Sequence, residues 1–199
     1  MLKNKILFLD TETTGLIPGY HDIIQIAGII EEDDNIVDEF KIKLRPFHLK
    51  NIDDESLGIN GFTKEELFFF PDPEHGIERL IIILAPYMVE EDVLFAGQKT
   101  FFDLFFLQAL FRKSEHEKRK TFDIMTRAHN ATMDLKTLTL LAILQGHKIK
   151  SNSLEDVCEY LGVKNEKPHD ALSDLYATRE CFKKFKVVLK NENLRWWQR

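Results

Sequence analysis

The 199-residue chain has only two cysteines, Cys158 and Cys181. They form no C-x-x-C pair and have no Cys/His cluster beside them, which argues against a zinc centre. Both fall in helical stretches and are expected as reduced, partly buried thiols, in keeping with a reducing compartment. Long apolar runs are missing too. Leu80 to Ala85 and Phe101 to Phe111 fall far short of the roughly 20 residues that span a bilayer. The run from Ile6 to Leu9 is too short for a signal peptide and ends in acid. The expectation is a cytoplasmic protein with no membrane partner. There is no internal repeat, low-complexity tract or linker, so residues 1–190 read as one domain and 191–199 as a C-terminal tail. No G-x-G-x-x-G or Walker sequence follows a strand, which removes support for Rossmann and P-loop nucleotide binding. Positive charge is not in surplus either: 27 Lys and Arg face 33 Asp and Glu, a net charge of −6. Alone, that argues mildly against a nucleic-acid partner. The objection weakens if the acids gather round bound cations, which reverse the local sign.

What is present is a core-forming composition, 44% hydrophobic with 16 phenylalanines and 30% charged, typical of a globular domain. Lys5 to Asp10 reads as a buried strand ending at an acid. Ile23 to Ile30 and Ile36 to Leu44 read as two more, giving an antiparallel meander. Arg45 to Phe62 is expected as a surface loop. Helical patterning follows from Thr63, and Pro73 to Met88 carries Ile77, Leu80, Ile81 and Leu84 on one stripe. Val93 to Ala96 reads as a buried strand, Asp103 to Phe111 as a helix and Lys136 to Leu144 as another. Ser153 to Leu161 is a helix with Ser153 as N-cap and Gly162 past its end. The last helix runs from about Asp170 to Leu189 with a buried stripe of Ala171, Leu175, Thr178, Phe182, Phe185 and Leu189. Arg112 to Lys120 reads as a solvated helix end and loop. The order implies one mixed sheet with helices packed against it, an α/β fold.

Three acidic features stand out. Asp10-Thr11-Glu12 ends the first strand, and side chains at i and i+2 of an extended chain share a face. Two carboxylates leaving an apolar strand together do not both stay ionised without a cation. Magnesium or manganese suits such an all-oxygen site. Asp170 and Asp174 share a face of the last helix, with His169 at its mouth, where a histidine beside an attacking water is a natural general base. Asp103 is a lone carboxylate in a phenylalanine-rich stretch, where an unpaired charge is costly. Plainer readings exist for each: Asp10 ending a strand while Glu12 faces water, an acid-rich helix start with a surface histidine, and Asp103 as an N-cap.

Taken together the motifs resemble a known family. Asp10-Thr11-Glu12-Thr13-Thr14-Gly15-Leu16 is similar to the first motif of the DEDDh (DnaQ-like) 3′–5′ exonuclease superfamily, which includes the proofreading subunit of bacterial DNA polymerase III. Phe102-Asp103 resembles the end of its second motif, and His169-x-Ala171-x-x-Asp174 its third. The resemblance covers roughly residues 5–185. It implies a ribonuclease H-like, mixed five-stranded sheet flanked by helices. It implies two divalent ions, Mg²⁺ or Mn²⁺, held by Asp10, Glu12, Asp103 and Asp174, with His169 activating the water and all five residues catalytic. Thr13, Leu16 and Phe102 match positions that meet the terminal nucleotide. Leu16 could wedge against the last base or be a core residue at the edge of a turn. The implied activity is release of 5′-mononucleotides from 3′ ends, of DNA in the proofreading or repair manner. The alternatives are an exoribonuclease with the same site and a non-catalytic module attached to a polymerase. The implied partners are single-stranded or frayed 3′ ends and a separate DNA polymerase or other replication protein, reached through the tail with its Trp196-Trp197. This chain departs from the family at Gln98-Lys99, where His-Asn is usual, and at Asn60, where a histidine is frequent. Thr126 to Ser151 is longer than in compact relatives. Arg112, Lys113, Lys118, Arg119 and Lys120 could track a phosphate backbone, but Glu115 and Glu117 among them also fit a plain solvated surface.

Overall fold

The computed structural model describes residues 5–87, 93–114 and 132–191, with side chains through 187. Strand β1 (Lys5–Thr13) is the pivot. Its antiparallel partner is β2 (Ile23–Glu32), which pairs in turn with β3 (Asn35–Lys43). This is the meander expected from the sequence. On the other side β1 runs parallel to β4 (Leu94–Gly97), and β4 to β5 (Thr132–Asp134), so the order is β3-β2-β1-β4-β5.

Strand periodicity sorts β1 into two faces. Leu7 and Leu9 join a core with Ile77, Leu80 and Leu84 of α3 (Pro73–Leu84) and with Leu104 and Leu107 of α4 (Thr100–Lys113). Phe8 joins the opposite core, under α5 (Leu135–Leu144), α6 (Leu154–Leu161) and α7 (Ala171–Asn191). Asp10 and Glu12 follow Phe8 in alternation and so lie on the α7 face. Thr11 follows Leu9 and lies on the α4 face. Gly97 ends β4 close against β1: a Cβ there would sit 2.8 Å from the Leu9 carbonyl oxygen. Only glycine lets the chain leave the sheet at that point and enter α4.

Local signals set the helix starts. Thr63 and Glu66 form a capping box at α2 (Lys64–Phe68), and Ser153 caps α6, which Gly162 ends in the left-handed region. Asp72 caps α3, with Pro73 as its first residue. Helix α7 is clamped to the sheet by Arg179. Its Nε donates to buried Glu31 at 2.5 Å and its Nη2 to the Asp34 carbonyl at 2.9 Å.

Several sequence expectations need correction. Arg45 to Phe62 is not all loop: it holds a 3₁₀ turn (Leu49–Asn51) and α1 (Asp54–Asn60), capped by Asp53. Edge strand β5 was not expected ahead of α5, the helix expected over Lys136 to Leu144, whose Leu135 and Ala142 are buried in the second core. Three residues are too short to show strand periodicity. Asp103 is not an N-cap. Helix α4 begins at Thr100, whose N–H donates to Asp134 at 3.0 Å, and Asp103 lies in its first turn. The two cysteines are fully buried and free, their sulfurs 3.6 Å apart between α6 and α7. Met88, Lys118 to Lys120, Thr126 to Ala131 and the tail from Glu192 on, with Trp196 and Trp197, lie outside the described residues. Among the described residues no helix is long and apolar enough to cross a membrane.

Candidate active site

The site forms where β1 outruns β4. Pairing of β1 with β4 stops at Phe8–Ala96, so the next outward N–H of β1 needs another acceptor. Asp103 supplies it. Its Oδ1 accepts from the Thr11 N–H at 2.9 Å and from the Thr11 hydroxyl at 2.7 Å. The carboxylate is thereby fixed at the edge of the strand that carries Asp10 and Glu12, with Oδ2 left over. Asp174, in the first turn of α7, approaches from the other side. Its Oδ1 accepts from the Asn165 amide at 2.5 Å, and the backbone N–H of His169 also donates to the carboxylate.

The electrostatics show that the acids form one group. Asp10 is pushed well above the usual carboxylate range, first by burial and then by Asp103, Glu12 and Asp174. Glu12 rises from 4.5 to about 7, by burial and then by Asp174, Asp103 and Asp170, against a lowering from Lys41. Asp103 is raised by burial, against the two Thr11 hydrogen bonds that lower it. Asp174 is raised by burial, against Asn165 and the charge of His169. His169 is exposed and sits at φ 65° between the Asn165 loop and α7, near enough to act on Asp174. The left-handed turn aims the chain into the helix and leaves the imidazole at the mouth of the site.

A hard divalent cation fits this donor set. All four groups are carboxylates raised first by burial, and Asp10 and Glu12 also by the charges of their acidic neighbours, a repulsion that a cation would relieve. A further sign is Gln25, which pairs with Glu12 across β1 and β2 and so shares its face. Its Oε1 is buried with no hydrogen-bond partner among the described residues. As they stand, no three His, Cys, Asp or Glu side chains among the described residues close on one point as an ion would require. The reason is local: Asp103 is turned onto Thr11 and Asp174 onto Asn165.

Three supporting residues escaped the sequence reading. Asn165 ties Asp174 to the loop before α7, and its Oδ1 accepts from the Ser173 hydroxyl at 2.8 Å. Lys41 forms an ion pair with Asp170 and bears on Glu12. Asp170 is thus paired with Lys41, while its charge still acts on Glu12 and Asp174. Asn60, noted only as a departure, donates to the Thr13 carbonyl at 2.8 Å and pins the end of β1. Thr13 is buried, and its hydroxyl donates to the Gly15 carbonyl at 2.7 Å, so its side chain shapes the turn. Leu16 is 72% exposed and is no core residue. Phe102 is half-buried against Phe106, ring centroids 4.7 Å apart, with the Lys99 ammonium 5.1 Å above its ring. The Gln98 amide donates to the Asn152 carbonyl at 3.4 Å.

The exonuclease family RNase_T matches residues 7–182, a span that contains every one of these groups. The chain belongs to this family. It is a DEDDh (DnaQ-like) member, and its sheet is the ribonuclease H-like one. Among curated proteins, the chain is 29% identical over 184 residues to the PolC-type DNA polymerase III of Thermotoga maritima, covering 92% of this chain and 12% of that protein. It is 28% identical over 171 residues to the PolC-type enzyme of Listeria innocua, covering 85% of this chain and 10% of that one. The chain thus spans about a tenth of these relatives. Among solved structures, E. coli exonuclease I in complex with a dT13 oligonucleotide superposes with a TM-score of 0.74 at 20% identity, over 98% of this chain and 43% of that one. Cell-death related nuclease 4 superposes with a TM-score of 0.70 at 15% identity, over 94% of this chain and 65% of that one. At these identities the structures speak to the fold.

Two outcomes follow from the site. Removing the Asn165 amide frees Asp174 to turn. Asn165→Ala is expected to lower metal affinity or turnover about tenfold, the lower range for lost outer-shell support, with little change in melting. Unchanged Mn²⁺ affinity and turnover would remove Asn165 from the site. The second outcome concerns stability. Glu12 holds its proton more tightly folded than unfolded, so its contribution is fully present below pH about 4.5 and is lost as pH rises through about 7. In EDTA the protein is expected to melt lower at pH 8 than at pH 6. Glu12→Gln should raise the pH 8 Tm by about 3–6 °C, the size of one to two kcal/mol in a domain this large. A Tm that climbs with pH in EDTA would contradict the clustered acids.

Proposed function

We propose that this exonuclease domain is a metal-dependent 3′–5′ exonuclease that hydrolyses phosphodiester bonds at DNA 3′ ends and releases 5′-mononucleotides, in a proofreading or repair role. The observation that carries the reading is that Asp10 and Glu12, side by side on β1, are both raised by burial and by the charges of Asp103 and Asp174. Four carboxylates have no use for a phosphodiester until cations reverse their sign. Asp10, Glu12, Asp103 and Asp174 would hold two divalent ions, Mg²⁺ or Mn²⁺. When bound, these supply positive charge that draws in the phosphodiester and steadies the charge developing on it. His169 takes the proton of the attacking water. Leu16 meets the last base, and Phe102 and the Thr13 turn shape the pocket for the terminal nucleotide. The whole described assembly forms a single domain ending near residue 190. Similarity to PolC-type polymerases supports a DNA substrate and a polymerase as companion; the tail is the contact proposed for it.

Matched DNA and RNA strands, single-stranded and frayed, test the reading in Mg²⁺, in Mn²⁺ and in EDTA. The expectation is hydrolysis of DNA with either ion and none in EDTA. Faster hydrolysis of RNA would assign an exoribonuclease, and full activity in EDTA would overturn the metal site.

A further inference from the structure

Helix α4 is apolar on every side, and such a helix belongs inside a core. Leu104, Leu107 and Phe111 do pack inward. Phe101 and Phe105, one turn apart, do not: they remain 53% and 48% exposed, with ring centroids 6.3 Å apart. Facing the same helix is the loop that follows Glu12, which also bears exposed apolar side chains, among them Ile17 and Tyr20. The loop is built, not slack. Its Ile17 N–H donates to His21 Nδ1 at 2.9 Å, and Asn51 donates to the Tyr20 carbonyl at 2.9 Å. Gly15 lies so close to the His21 ring that a Cβ would come within 2.4 Å of it.

Loop and helix enclose an open cleft of about 510 Å³, lined by Pro18, Gly19, Phe105, Gln108, Ala109 and Arg112, with Lys113 at its end. On the helix its lining begins at Phe105, two residues after the Asp103 that meets Thr11. At its far end Lys113 is committed to Asp22 at 2.6 Å, whereas exposed Arg112 makes no ion pair among the described residues. From Asp103 to Arg112 the helix rises roughly 14 Å, room for a few nucleotides.

We infer that this cleft is a track for the single strand upstream of its terminal nucleotide, with Phe105 and Phe101 as stacking platforms for bases and Arg112 as a backbone phosphate contact. The inference rests on the exonuclease reading above and extends it beyond the terminal nucleotide. Single strands are held by aromatic faces together with cations along a groove, and this cleft combines the two. Its two walls are the helix that carries Asp103 and the loop that follows the strand of Asp10 and Glu12, so a strand whose 3′ end lies at those acids has this route outward. The only cation free among the described lining residues sits at the end away from the acids, where an upstream phosphate would fall.

The test uses the full chain and thymidine oligonucleotides of two and twelve residues. KM is measured in Mg²⁺ for both, and the affinity of a 5′-fluorescent twelve-mer by anisotropy in EDTA. Phe105→Ala, and equally Phe105→Leu, which keeps the apolar contact but not the ring, should weaken the twelve-mer about tenfold in both assays. The dinucleotide KM and kcat should stay unchanged. Arg112→Ala should flatten the slope of log affinity against log salt by about 0.7, the value of one phosphate on a single strand. Wild-type twelve-mer affinity in variants that melt normally would overturn the track, including in favour of a protein partner on this face. Tight, Phe105-dependent binding with no hydrolysis in Mg²⁺ would sink the exonuclease reading and leave the track standing.

Discussion

Asp10→Ala is expected to abolish nucleotide release while the protein stays folded. Asp10 is the carboxylate pressed on by all three of the others, so it lies at the centre of the group. Removing it takes a ligand from the place where the ions would be shared, and the charge that steadies the transition state is usually the largest single contribution to catalysis. The same change relieves burial and repulsion of a charge, so metal-free stability at pH 8 should hold or rise. Activity assays with saturating Mn²⁺ and a thermal melt in EDTA, on the same preparation, check both halves. An Asp10→Ala variant with near-normal turnover would mean that the acids are a structural cluster.

His169→Ala is expected to slow turnover by about 10²–10⁴-fold, the usual contribution of a positioned general base, with Mn²⁺ affinity close to wild type. The imidazole is exposed at the mouth of the site and acts on Asp174 through its charge, while its backbone N–H holds the Asp174 carboxylate. The backbone contact survives the substitution, so the metal ligand should stay in place. Asp174→Ala, in contrast, should lose metal affinity as well as rate. Titration of Mn²⁺ and single-turnover rates for both variants separate the two roles. Normal turnover in His169→Ala would move the base role elsewhere.

The main frame was legible because it rests on local patterns. The short apolar run ending at Asp10, the Ser153 cap with Gly162, and the stripe of α7 each lie within a few residues, and the four carboxylates sat in motifs of fixed spacing. What escaped reading depends on pairing between distant segments. Lys41 lies level with Asp10 two strands away, through Ala27. A bulge between Ile30 and Glu31 shifts the register by one residue, so counting back from the hairpin would have put Lys41 on the wrong face. Asn165 reaches Asp174 only because the loop turns back through His169 in the left-handed region, a bend that a non-glycine residue does not announce. The exposed face of α4 was hidden by its own composition, since Phe101 and Phe105 look in sequence like their buried neighbours Phe106 and Phe111.

Polarity is the most direct test of the central claim. One linear DNA strand, labelled at its 5′ end in one sample and at its 3′ end in another, is incubated with the protein and Mg²⁺ beside a closed circular strand. The account predicts that the 5′-labelled strand shortens one nucleotide at a time, that the 3′ label appears at once as a mononucleotide, and that the circle survives. Internal fragments from the circle, or a 5′ label released first as a mononucleotide, would contradict it.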